Sequence, residues 1–409
     1  MHNRYRSSQP SGENVVVEDE ARLLAEHGCT VERLELTSDE IASWGPAKKA
    51  LLPARVVWST EGYELTRRAI RAFQPRVVHF HNTFPLFSPS ALWAARGAGV
   101  RIVQTLHNFR PLCPSADFLR NGRVCELCLG RIPLPAVVYG CYRDSRLATI
   151  PVAATNSLHR LLGTWVRCVD IFIAPSGFTR AKYIEAGWPP EKLVVKYNTV
   201  AAASNERDPN PRGFVCVSRL TREKGVAVLL DAWRAAFPDG GEGLEIIGSG
   251  DSEAVLRQTA ETIRGVSFRG QLPREDVMRA LGRARAAVMP SLCYEVFPQV
   301  IGEAFASGTP VIASRIGALA EVVNEGANGL LAQPGSSADT SRALTLIAGS
   351  DDLTRVLGHG AREQFQKKFN PVVTTAQLIS IYEAPVKRPS PLRRRMPQER
   401  LKQLMSARR

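Results

Sequence analysis

The feature that most constrains the fold is a regular alternation of short apolar runs and helical segments along the whole chain. The runs at 76–80 and 100–104 predict strands, and the segment 90–97 between them predicts a helix. The same pattern predicts further strands at 169–174, 193–196, 214–218, 244–247, 266–268, 286–289 and 310–313, and helices at 176–186 and 371–383. Units of this βαβ type form mostly parallel sheets with helices on both faces, so we expect an α/β fold.

A chain of 409 residues is too long for one ordinary core and fits two domains. The polar segment 201–212 interrupts the pattern, and we expect it to link a first domain, 1–200, to a second domain, 213–370. The segment 371–385 is predicted to be a helix that crosses back onto the first domain. Ligands of open α/β sheets gather at the carboxyl ends of the strands, so we expect a site in the cleft between the domains.

The first domain opens in an unusual way. A parallel α/β domain should begin with an apolar strand, but residues 1–5 run at once into a loop at 7–13 and a predicted helix at 14–27. Either the first strand is only a stub or the recorded start lies too late.

The formal net charge of +14 is concentrated at the end of the chain. Residues 387–409 contain nine Lys or Arg and one acid, Glu399, so this segment carries a charge of +8. The tail, 386–409, is expected to be a disordered extension, and attraction of 387–409 to an anionic membrane is the next interpretation. Nucleic acid is not expected as a partner, because no aromatic residues stand among these charges.

The sequence contains no run of about 18 apolar residues and no secretory signal, so it predicts no membrane span. Eight cysteines without an export signal favour a reducing compartment. We therefore expect a cytoplasmic protein, with peripheral binding to the inner face of the membrane as a further expectation.

Two glutamates, Glu295 and Glu303, stand on either side of a predicted junction between a loop and a helix. Pro298 suits the first turn of a helix, because no backbone hydrogen bond is lost there. Free N–H groups at such a helix start attract anions, so a phosphate-bearing ligand would fit between the two carboxylates. Taken alone, the pair would also suit the general acid and base of a glycoside hydrolase.

Two cations, Arg219 and Lys224, lie between the predicted strand 214–218 and a helix that begins near Gly225. Cations at the carboxyl end of a strand can neutralise a diphosphate, and a guanidinium adds orientation. The alternative is a pair of solvated charges at a helix start. In combination with the two glutamates, the cations favour a site for a phosphate-bearing ligand.

These residues resemble the retaining glycosyltransferases of the glycogen synthase-like group, family 4. The resemblance runs from Asn3 to about Glu383. Its further marks are Ser11-Gly12-Glu13 and Thr105-Leu106-His107-Asn108 in the first domain, and 302–310 and 326–335 in the second. It implies the GT-B fold, in which two Rossmann-like, doubly wound domains face each other across a cleft, with the acceptor on the first domain and the nucleotide-sugar on the second.

The resemblance also implies roles for the site residues. Arg219 and Lys224 would hold the diphosphate of the donor and stabilise the charge that grows on it as the glycosidic bond breaks. Glu303 would bind the ribose hydroxyls, and Glu295 would bind hydroxyls of the donor sugar. Gly12 would let the backbone approach the phosphates closely.

Donor contacts are also implied for the start of the second-domain helix and for one histidine. Backbone N–H groups around Phe297, Pro298, Gln299 and Val300 would face the sugar or the phosphate, although Pro298 has no N–H to give. His107 would lie at the edge of the first domain's cleft, close to the sugar. The alternative for this histidine is a satisfied structural role.

Two more histidines, His79 and His81, point to the same side of a predicted strand, because the side-chain period of a strand is two. They are expected either to shape the acceptor side of the cleft or to serve packing.

Four cysteines, Cys113, Cys125, Cys128 and Cys141, fall in a segment, 109–145, that we interpret as an insertion. Four thiolates with a central Cys-x-x-Cys suit a tetrahedral structural zinc ion. Free thiols or a redox pair remain open.

The sequence contains no Asp-x-Asp, which disfavours the divalent-metal mechanism of the other large glycosyltransferase fold. We expect the two cations and the helix start to stabilise the leaving group instead, with no cofactor required for catalysis.

The sequence thus predicts a glycosyltransferase that moves a sugar from a nucleotide diphosphate-sugar to an acceptor hydroxyl with retention. The acceptor is expected to be a lipid-linked molecule or a saccharide, in polysaccharide, lipopolysaccharide or glycolipid biosynthesis. Two alternatives remain open. One is a GT-B nucleotide-sugar 2-epimerase, and the other is a non-catalytic homologue that binds nucleotide-sugars.

Overall fold

A computed structural model describes residues 1–5, 7, 11–202 and 207–385 of the chain. Part of the predicted linker and the predicted tail, 386–409, lie outside the described residues. Within the described ranges, no helix is both long and apolar enough to cross a membrane.

The first domain contains eight strands and ten α-helices among its described residues. Its strands are β1 (His2–Arg4), β2 (Glu35–Thr37), β3 (Val77–Phe80), β4 (Arg101–Thr105), β5 (Leu119–Arg120), β6 (Arg123–Val124), β7 (Ile171–Ala174) and β8 (Leu193–Val195). Its helices are α1 (Gly12–Glu26), α2 (Glu40–Ser43), α3 (Pro46–Ala50), α4 (Leu52–Val57), α5 (Thr60–Phe73), α6 (Ser90–Gly97), α7 (Leu134–Tyr139), α8 (Arg146–Leu161), α9 (Thr164–Cys168) and α10 (Gly177–Glu185).

The main sheet of the first domain is parallel, with β3, β4, β7 and β8 as neighbours in that order. The short strand β1 pairs with β2 and also adjoins the end of β3. There, the N–H of His81 donates to the carbonyl oxygen of Met1 at 3.0 Å. The N–H of Asn3 donates to the carbonyl oxygen of Asn82 at 2.8 Å. The opening strand is therefore only three residues long, but it is held on both sides.

Both faces of this sheet are covered, which explains why its strands read as continuous apolar runs. α5 and α6 lie over Phe80 and Ile102 on one face. On the other face, Val103 and Ile173 pack against Leu24 of α1 and against Leu378.

The second domain contains six strands and seven α-helices among its described residues, and one last α-helix follows it. The strands are β9 (Phe214–Val217), β10 (Leu244–Ile247), β11 (Val266–Gly270), β12 (Ala286–Met289), β13 (Val311–Ser314) and β14 (Gly329–Ala332). The helices are α11 (Val226–Ala236), α12 (Glu253–Ala260), α13 (Arg274–Arg283), α14 (Gln299–Ala306), α15 (Gly317–Val322), α16 (Ser337–Ala348), α17 (Asp351–Gln364) and the last helix, α18 (Pro371–Glu383).

All six strands of the second domain are parallel, in the order β11-β10-β9-β12-β13-β14. This is the doubly wound order in which the chain starts in the middle of the sheet, builds one half and then returns to build the other. A crevice forms at the carboxyl ends of the two central strands, β9 and β12, and it is the expected place for a ligand.

The two domains are in contact, and α18 returns to the first domain. The hydroxyl of Tyr382 lies 2.7 Å from Nδ1 of His79, and a guanidinium N–H of Arg101 bonds to the carbonyl oxygen of Ile381 at 2.8 Å. On the cleft side, the carboxylate of Glu321 in α15 accepts hydrogen bonds from the first N–H groups of α10. A negative charge is favoured at this helix start by the helix dipole.

The strands at 244–247 and 286–289 and the helices at 90–97 and 371–383 have the predicted bounds. The predicted helix at 14–27 instead begins at Gly12 and ends at Glu26. The strand β14 was not predicted, because Gly-Leu-Leu-Ala contains no β-branched residue and no alternation.

Candidate active site

The candidate site lies at the crevice between β9 and β12. The loop after β9 carries Arg219 and Lys224, and the loop after β12 carries Glu295. Because these two strands are neighbours at the point where the strand order reverses, the fold brings together residues that are 71 positions apart in the chain.

One glycine sets the approach of these two loops. Gly225 has a φ of +69°, and a Cβ atom there would lie 2.0 Å from the carbonyl oxygen of Pro290, directly after β12. A side chain at this position would therefore force the loops apart. Glycine is required if Lys224 is to stay beside the end of β12.

Lys224 and Glu295 form an ion pair, with Nζ of Lys224 2.6 Å from Oε1 of Glu295. The hydroxyl of Ser291 donates to the same oxygen at 2.9 Å. The two charged side chains are largely buried, with 16% and 14% of their surface exposed. The residues predicted for the diphosphate and for the sugar therefore contact each other directly.

Both members of the pair are held in their charged forms. Burial alone would raise the pKa of Glu295, but the charge of Lys224 and the hydrogen bonds from Lys224 and Ser291 outweigh it, so the pKa is lowered. Burial would lower the pKa of Lys224, yet the charge of Glu295 and its hydrogen bond contribute to raising it overall. The site thus keeps a cation and an anion side by side across the neutral pH range.

Arg219 stands apart from this pair. Over half of its side-chain surface, 53%, is exposed, and its nearest acidic partner is Glu223, 3.7 Å away. Such a loosely held guanidinium is free to turn toward a ligand in the crevice. Its charge also lowers the pKa of Tyr5 in the first domain, although burial raises that pKa more.

Glu303 lies on α14, as predicted, and contacts a residue that the sequence did not single out. Nε of Arg274 lies 3.3 Å from the Glu303 carboxylate, and the same guanidinium reaches Asp19 of α1 at 2.8 Å. Burial raises the pKa of Glu303, and Arg274 opposes this shift. Arg274 therefore links the second domain to the first beside the predicted nucleotide position.

The starts of α1 and α14 meet across the cleft. A Cβ atom on Gly12 would lie 3.5 Å from Cβ of Gln299. Gly12 was predicted in a loop, but it is the first residue of α1, because the Ser11 hydroxyl caps the helix one residue earlier. Two helix starts that face one crevice offer free N–H groups to an anion from both sides.

The other predicted donor contacts at this junction differ in what they can offer. The ring of Phe297 packs against Tyr197 and Phe369, so its side chain belongs to the core and only its backbone remains for a ligand. Pro298 precedes the first residue of α14. The Gln299 side chain donates to the carbonyl oxygen of Thr199 at 2.8 Å, and Val300 is partly buried against the core.

Two family models match the chain, one described as Glycosyltransferase Family 4, over residues 10–203, and one described as Glycosyl transferases group 1, over residues 211–349. This chain belongs to the family 4 glycosyltransferases. The resemblance to family 4 glycosyltransferases is thereby confirmed, and retention stays a prediction.

Named relatives agree with the family. A glycogen synthase of Mycobacterium tuberculosis is 28% identical over 321 residues, which cover 77% of this glycosyltransferase and 70% of the relative. A phosphatidyl-myo-inositol mannosyltransferase of Mycobacterium leprae is 32% identical over 164 residues, or 39% of this chain and 43% of the relative.

The fold prediction is confirmed by solved structures. Anabaena Alr3699/HepE, crystallised with UDP and glucose, superposes with a TM-score of 0.64 at 19% identity, covering 94% of this chain and 100% of that one. The glycosyltransferase therefore has the GT-B fold, and its crevice is the cleft between two Rossmann-like domains.

The predicted donor histidine, His107, is linked to a second histidine. Nε2 of His107 lies 2.9 Å from Nδ1 of His81, and the two rings are stacked with centroids 5.2 Å apart. Burial lowers the pKa of His107 to about 3, helped by the charges of His2 and Lys196. His107 is thus neutral at physiological pH and can present a hydrogen bond but no charge to a ligand.

His79 has a structural role in this glycosyltransferase. Its Nδ1 lies 2.7 Å from the hydroxyl of Tyr382, and its Nε2 lies 2.8 Å from the hydroxyl of Thr105. Both ring nitrogens are therefore engaged within the protein. Its ring centroid lies 4.1 Å from that of His81, so the prediction that the two share one side of β3 is confirmed.

The sequence analysis missed a buried ion pair behind these histidines. Nζ of Lys196 lies 2.7 Å from Oε1 of Glu20, and both side chains are 5% exposed or less. The other carboxylate oxygen of Glu20 is 4.0 Å from Nε2 of His81. The sequence did indicate that Glu20 is buried, because it falls on the same face of α1 as the apolar Val16 and Leu23.

Among the described residues, Glu20, His79 and His81 form a group whose potential ligand atoms lie within 4.8 Å of one another. These atoms do not suit a metal ion. The ammonium of Lys196 bonds to Oε1 of Glu20 and places a positive charge beside the group, and both nitrogens of His79 have partners.

The predicted insertion, 109–145, reaches the second domain. The ring of Phe118 lies 5.9 Å from that of Tyr294, the residue before Glu295. In the hairpin of β5 and β6, a Cβ atom on Gly122 would lie 3.6 Å from the guanidinium of Arg222, in the loop that carries Lys224. The insertion thus borders the loops that carry Lys224 and Glu295, where the donor is predicted to bind.

The four predicted metal ligands, Cys113, Cys125, Cys128 and Cys141, line one small cavity of the insertion together with Arg120. All four are free thiols. Burial, together with the neighbouring cysteines, raises the pKa of Cys128 and Cys141 to about 11. The structure therefore gathers the four residues at one place.

Proposed function

We propose that this glycosyltransferase transfers a sugar from a nucleoside diphosphate-sugar to an acceptor hydroxyl, with retention of the anomeric configuration. The observation that carries the proposal is the convergence of Lys224, Arg219 and two helix starts on one crevice. Breakage of the bond between sugar and diphosphate places negative charge on the diphosphate, and fixed positive groups around it lower the barrier. The UDP and glucose bound to the Anabaena protein support a donor of this class.

The contacts of the central ion pair leave room for a donor. An ammonium has three N–H donors, and Lys224 gives one of them to Glu295, so others can reach a phosphate oxygen. The bonds from Lys224 and Ser291 both end on Oε1 of Glu295. Its other oxygen can therefore accept from a sugar hydroxyl. We propose that these cations supply the charge stabilisation and that catalysis needs no metal ion.

The acceptor would approach from the first domain. A cavity there is lined by His107 together with His81, Asn108, Arg110 and Asn156. Neutral imidazole, amide and guanidinium groups suit hydroxyls, and a guanidinium also suits a phosphate. We propose a lipid-linked or saccharide acceptor, since the named relatives include a glycogen synthase and a phosphatidyl-myo-inositol mannosyltransferase. Attraction of 387–409 to an anionic membrane stays a proposal.

A donor screen with UDP-, GDP- and ADP-sugars tests the proposed reaction. We expect one base to support release of nucleoside diphosphate, and we expect the product to keep the anomeric configuration of the donor by nuclear magnetic resonance. An inverted product would remove the retaining mechanism. Epimerised free sugar in the absence of any acceptor would point to the 2-epimerase alternative.

The assigned roles of the two glutamates can be separated by binding. Glu303→Ala is expected to weaken binding of the preferred nucleoside diphosphate about 10- to 100-fold, as expected for losing charged hydrogen bonds to ribose. Glu295→Gln is expected to leave that affinity within about twofold and to lower turnover instead. Titration calorimetry with the nucleoside diphosphate measures the first effect.

Glu363→Ala is the matched control for this test, because it removes an exposed glutamate of α17 outside the crevice. It should leave nucleotide affinity near that of the natural protein. If both glutamate variants bound the nucleoside diphosphate normally, the nucleotide would have to lie elsewhere in the cleft.

We also propose that the four cysteines of the insertion hold a structural zinc ion. Their common cavity supports this, and Nε of Arg120 beside them is buried without a hydrogen-bond partner, as suits a neighbour for thiolate sulfur. The side chains must close around the ion, because no three of these sulfur atoms lie within 4.8 Å of one another. Zinc bonds to cysteine sulfur at about 2.3 Å.

Metal analysis of the purified protein tests the zinc proposal. We expect about one zinc ion per chain, lost together with thermal stability in Cys125→Ser/Cys128→Ser. Cys29→Ser, at an exposed cysteine outside the insertion, should keep both. Natural protein prepared with zinc that carries no stoichiometric metal would rule the site out.

A further inference from the structure

One helix of the first domain exposes an apolar stripe. On α8, the exposed fractions are 81% for Leu147, 48% for Ile150, 38% for Leu158 and 83% for Leu161. Together with the exposed Ala154, these residues follow one another at intervals of three or four positions. They therefore lie along one side of the helix. A helix of a soluble domain normally turns such a stripe toward the core.

The neighbouring helix extends this stripe. α7 packs against α8, and Leu134, Val138 and the preceding Ile132 are 65%, 53% and 70% exposed. We call these seven large apolar residues the α7–α8 face: Ile132, Leu134, Val138, Leu147, Ile150, Leu158 and Leu161. An exposed apolar surface of this kind generally marks an interaction site.

The charges around the α7–α8 face are mostly positive. From residue 127 to 169 the sequence contains five arginines and one acid, Asp144. Arg131, Arg146 and Arg160 border the apolar residues, and within the described part of the chain none of them forms an ion pair. Apolar side chains rimmed by unpaired cations match the boundary of a bilayer with anionic headgroups.

We propose that the α7–α8 face docks on an anionic lipid surface. The other natural occupant, a second copy of this chain, fits less well. In a twofold dimer the same patch would meet itself, and arginines of both copies would be brought together without acidic partners. A lipid surface instead supplies a negative charge for each arginine and an apolar layer for the leucines.

This position would place the acceptor cavity next to the lipid. The inward side of α8 lines that cavity through Val152, Thr155 and Asn156, together with His107. The docking face and the cavity are thus separated by the thickness of one helix, about 10 Å. For a lipid-linked acceptor, which rests on the proposed function, docking would bring the reacting hydroxyl to the cleft while the lipid stays in the bilayer.

Vesicle sedimentation of the full chain tests the proposal. We expect binding to vesicles of phosphatidylcholine with 30% phosphatidylglycerol, and at least about tenfold weaker binding for Leu147→Glu/Leu161→Glu. The matched control is Leu346→Glu/Val356→Glu, which changes apolar residues of the second domain that are 58% and 54% exposed. This control should bind like the natural protein.

Further measurements separate lipid docking from misfolding and from self-association. Arg146→Gln/Arg160→Gln removes no apolar surface and should lower binding to the anionic vesicles several-fold, even if the glutamate variant folds poorly. Binding of UDP, GDP and ADP is measured on every protein, so that a wrong nucleotide assignment shows as absent nucleotide binding with vesicle binding intact.

Undiminished vesicle binding by both face variants would overturn the proposal and leave 387–409 as the lipid contact. A dimer in solution that Leu147→Glu/Leu161→Glu dissociates, without vesicle binding, would overturn it in favour of a second copy.

Discussion

Lys224→Ala is expected to lower kcat/KM by about 30- to 1,000-fold, which corresponds to about 2–4 kcal/mol of transition-state stabilisation. The variant removes the most buried cation of the crevice, whose ammonium lies 2.6 Å from Glu295, four residues before the start of α14. Because charge grows on the diphosphate as the bond breaks, the loss should appear in kcat more than in donor KM. Steady-state release of nucleoside diphosphate measures it.

The same substitution strands a buried carboxylate, so its effect on folding has to be separated from its effect on chemistry. Lys224→Ala/Glu295→Gln leaves no unpaired charge and should recover thermal stability without recovering the rate. Arg234→Ala, a solvated cation of α11 in the same domain, should change neither. A rate close to that of the natural protein in Lys224→Ala would mean that the diphosphate lies elsewhere.

Lys196→Met is expected to lower the free energy of unfolding of the first domain by about 3–5 kcal/mol, because it leaves Glu20 as an uncompensated buried charge. Urea denaturation followed by tryptophan fluorescence measures this loss. The probe reports mainly on the first domain, because five of the six tryptophans lie before residue 200 and only Trp233 lies beyond it.

Removal of both charges distinguishes this cause from lost packing. Lys196→Met/Glu20→Gln should recover most of the stability, since neither remaining side chain carries a charge. Lys49→Met, at an exposed lysine of α3, is the control and should cost less than about 0.5 kcal/mol. A loss in the double variant as large as that in Lys196→Met would assign the effect to packing around Lys196.

The fold could be predicted from the sequence because each element carries its own local signal. Apolar runs and helical periods give the strands and helices, and their alternation gives the parallel sheets. Local signals fail where an element depends on distant partners. β14 has no strand signal of its own and exists because it pairs with β13 at the edge of the sheet. The three-residue β1 is likewise held by its neighbours.

The sequence nominated the residues of the candidate site one by one, and their roles stay predictions, but it did not indicate their contacts. Lys224 and Glu295 were each assigned to a different part of the ligand, and their ion pair follows from the adjacency of β9 and β12, which no local pattern encodes. Lys196 and Glu20 are 176 positions apart, and their pairing follows from the way α1 packs on the first sheet. Arg274 resembles any solvated helix residue until α1 is placed beside it.

The contacts of Arg274 couple nucleotide binding to the position of the first domain. Its guanidinium contacts Glu303 at 3.3 Å and Asp19 at 2.8 Å. Under the role proposed for Glu303, the ribose competes with Arg274 for this carboxylate, and Asp19 competes with Glu303 for Arg274. A first domain that holds Arg274 through Asp19 therefore leaves Glu303 freer for the ribose, and a bound nucleotide leaves Arg274 freer for Asp19. Such coupling is reciprocal, so the nucleotide would favour a closed cleft and a closed cleft would hold the nucleotide more tightly.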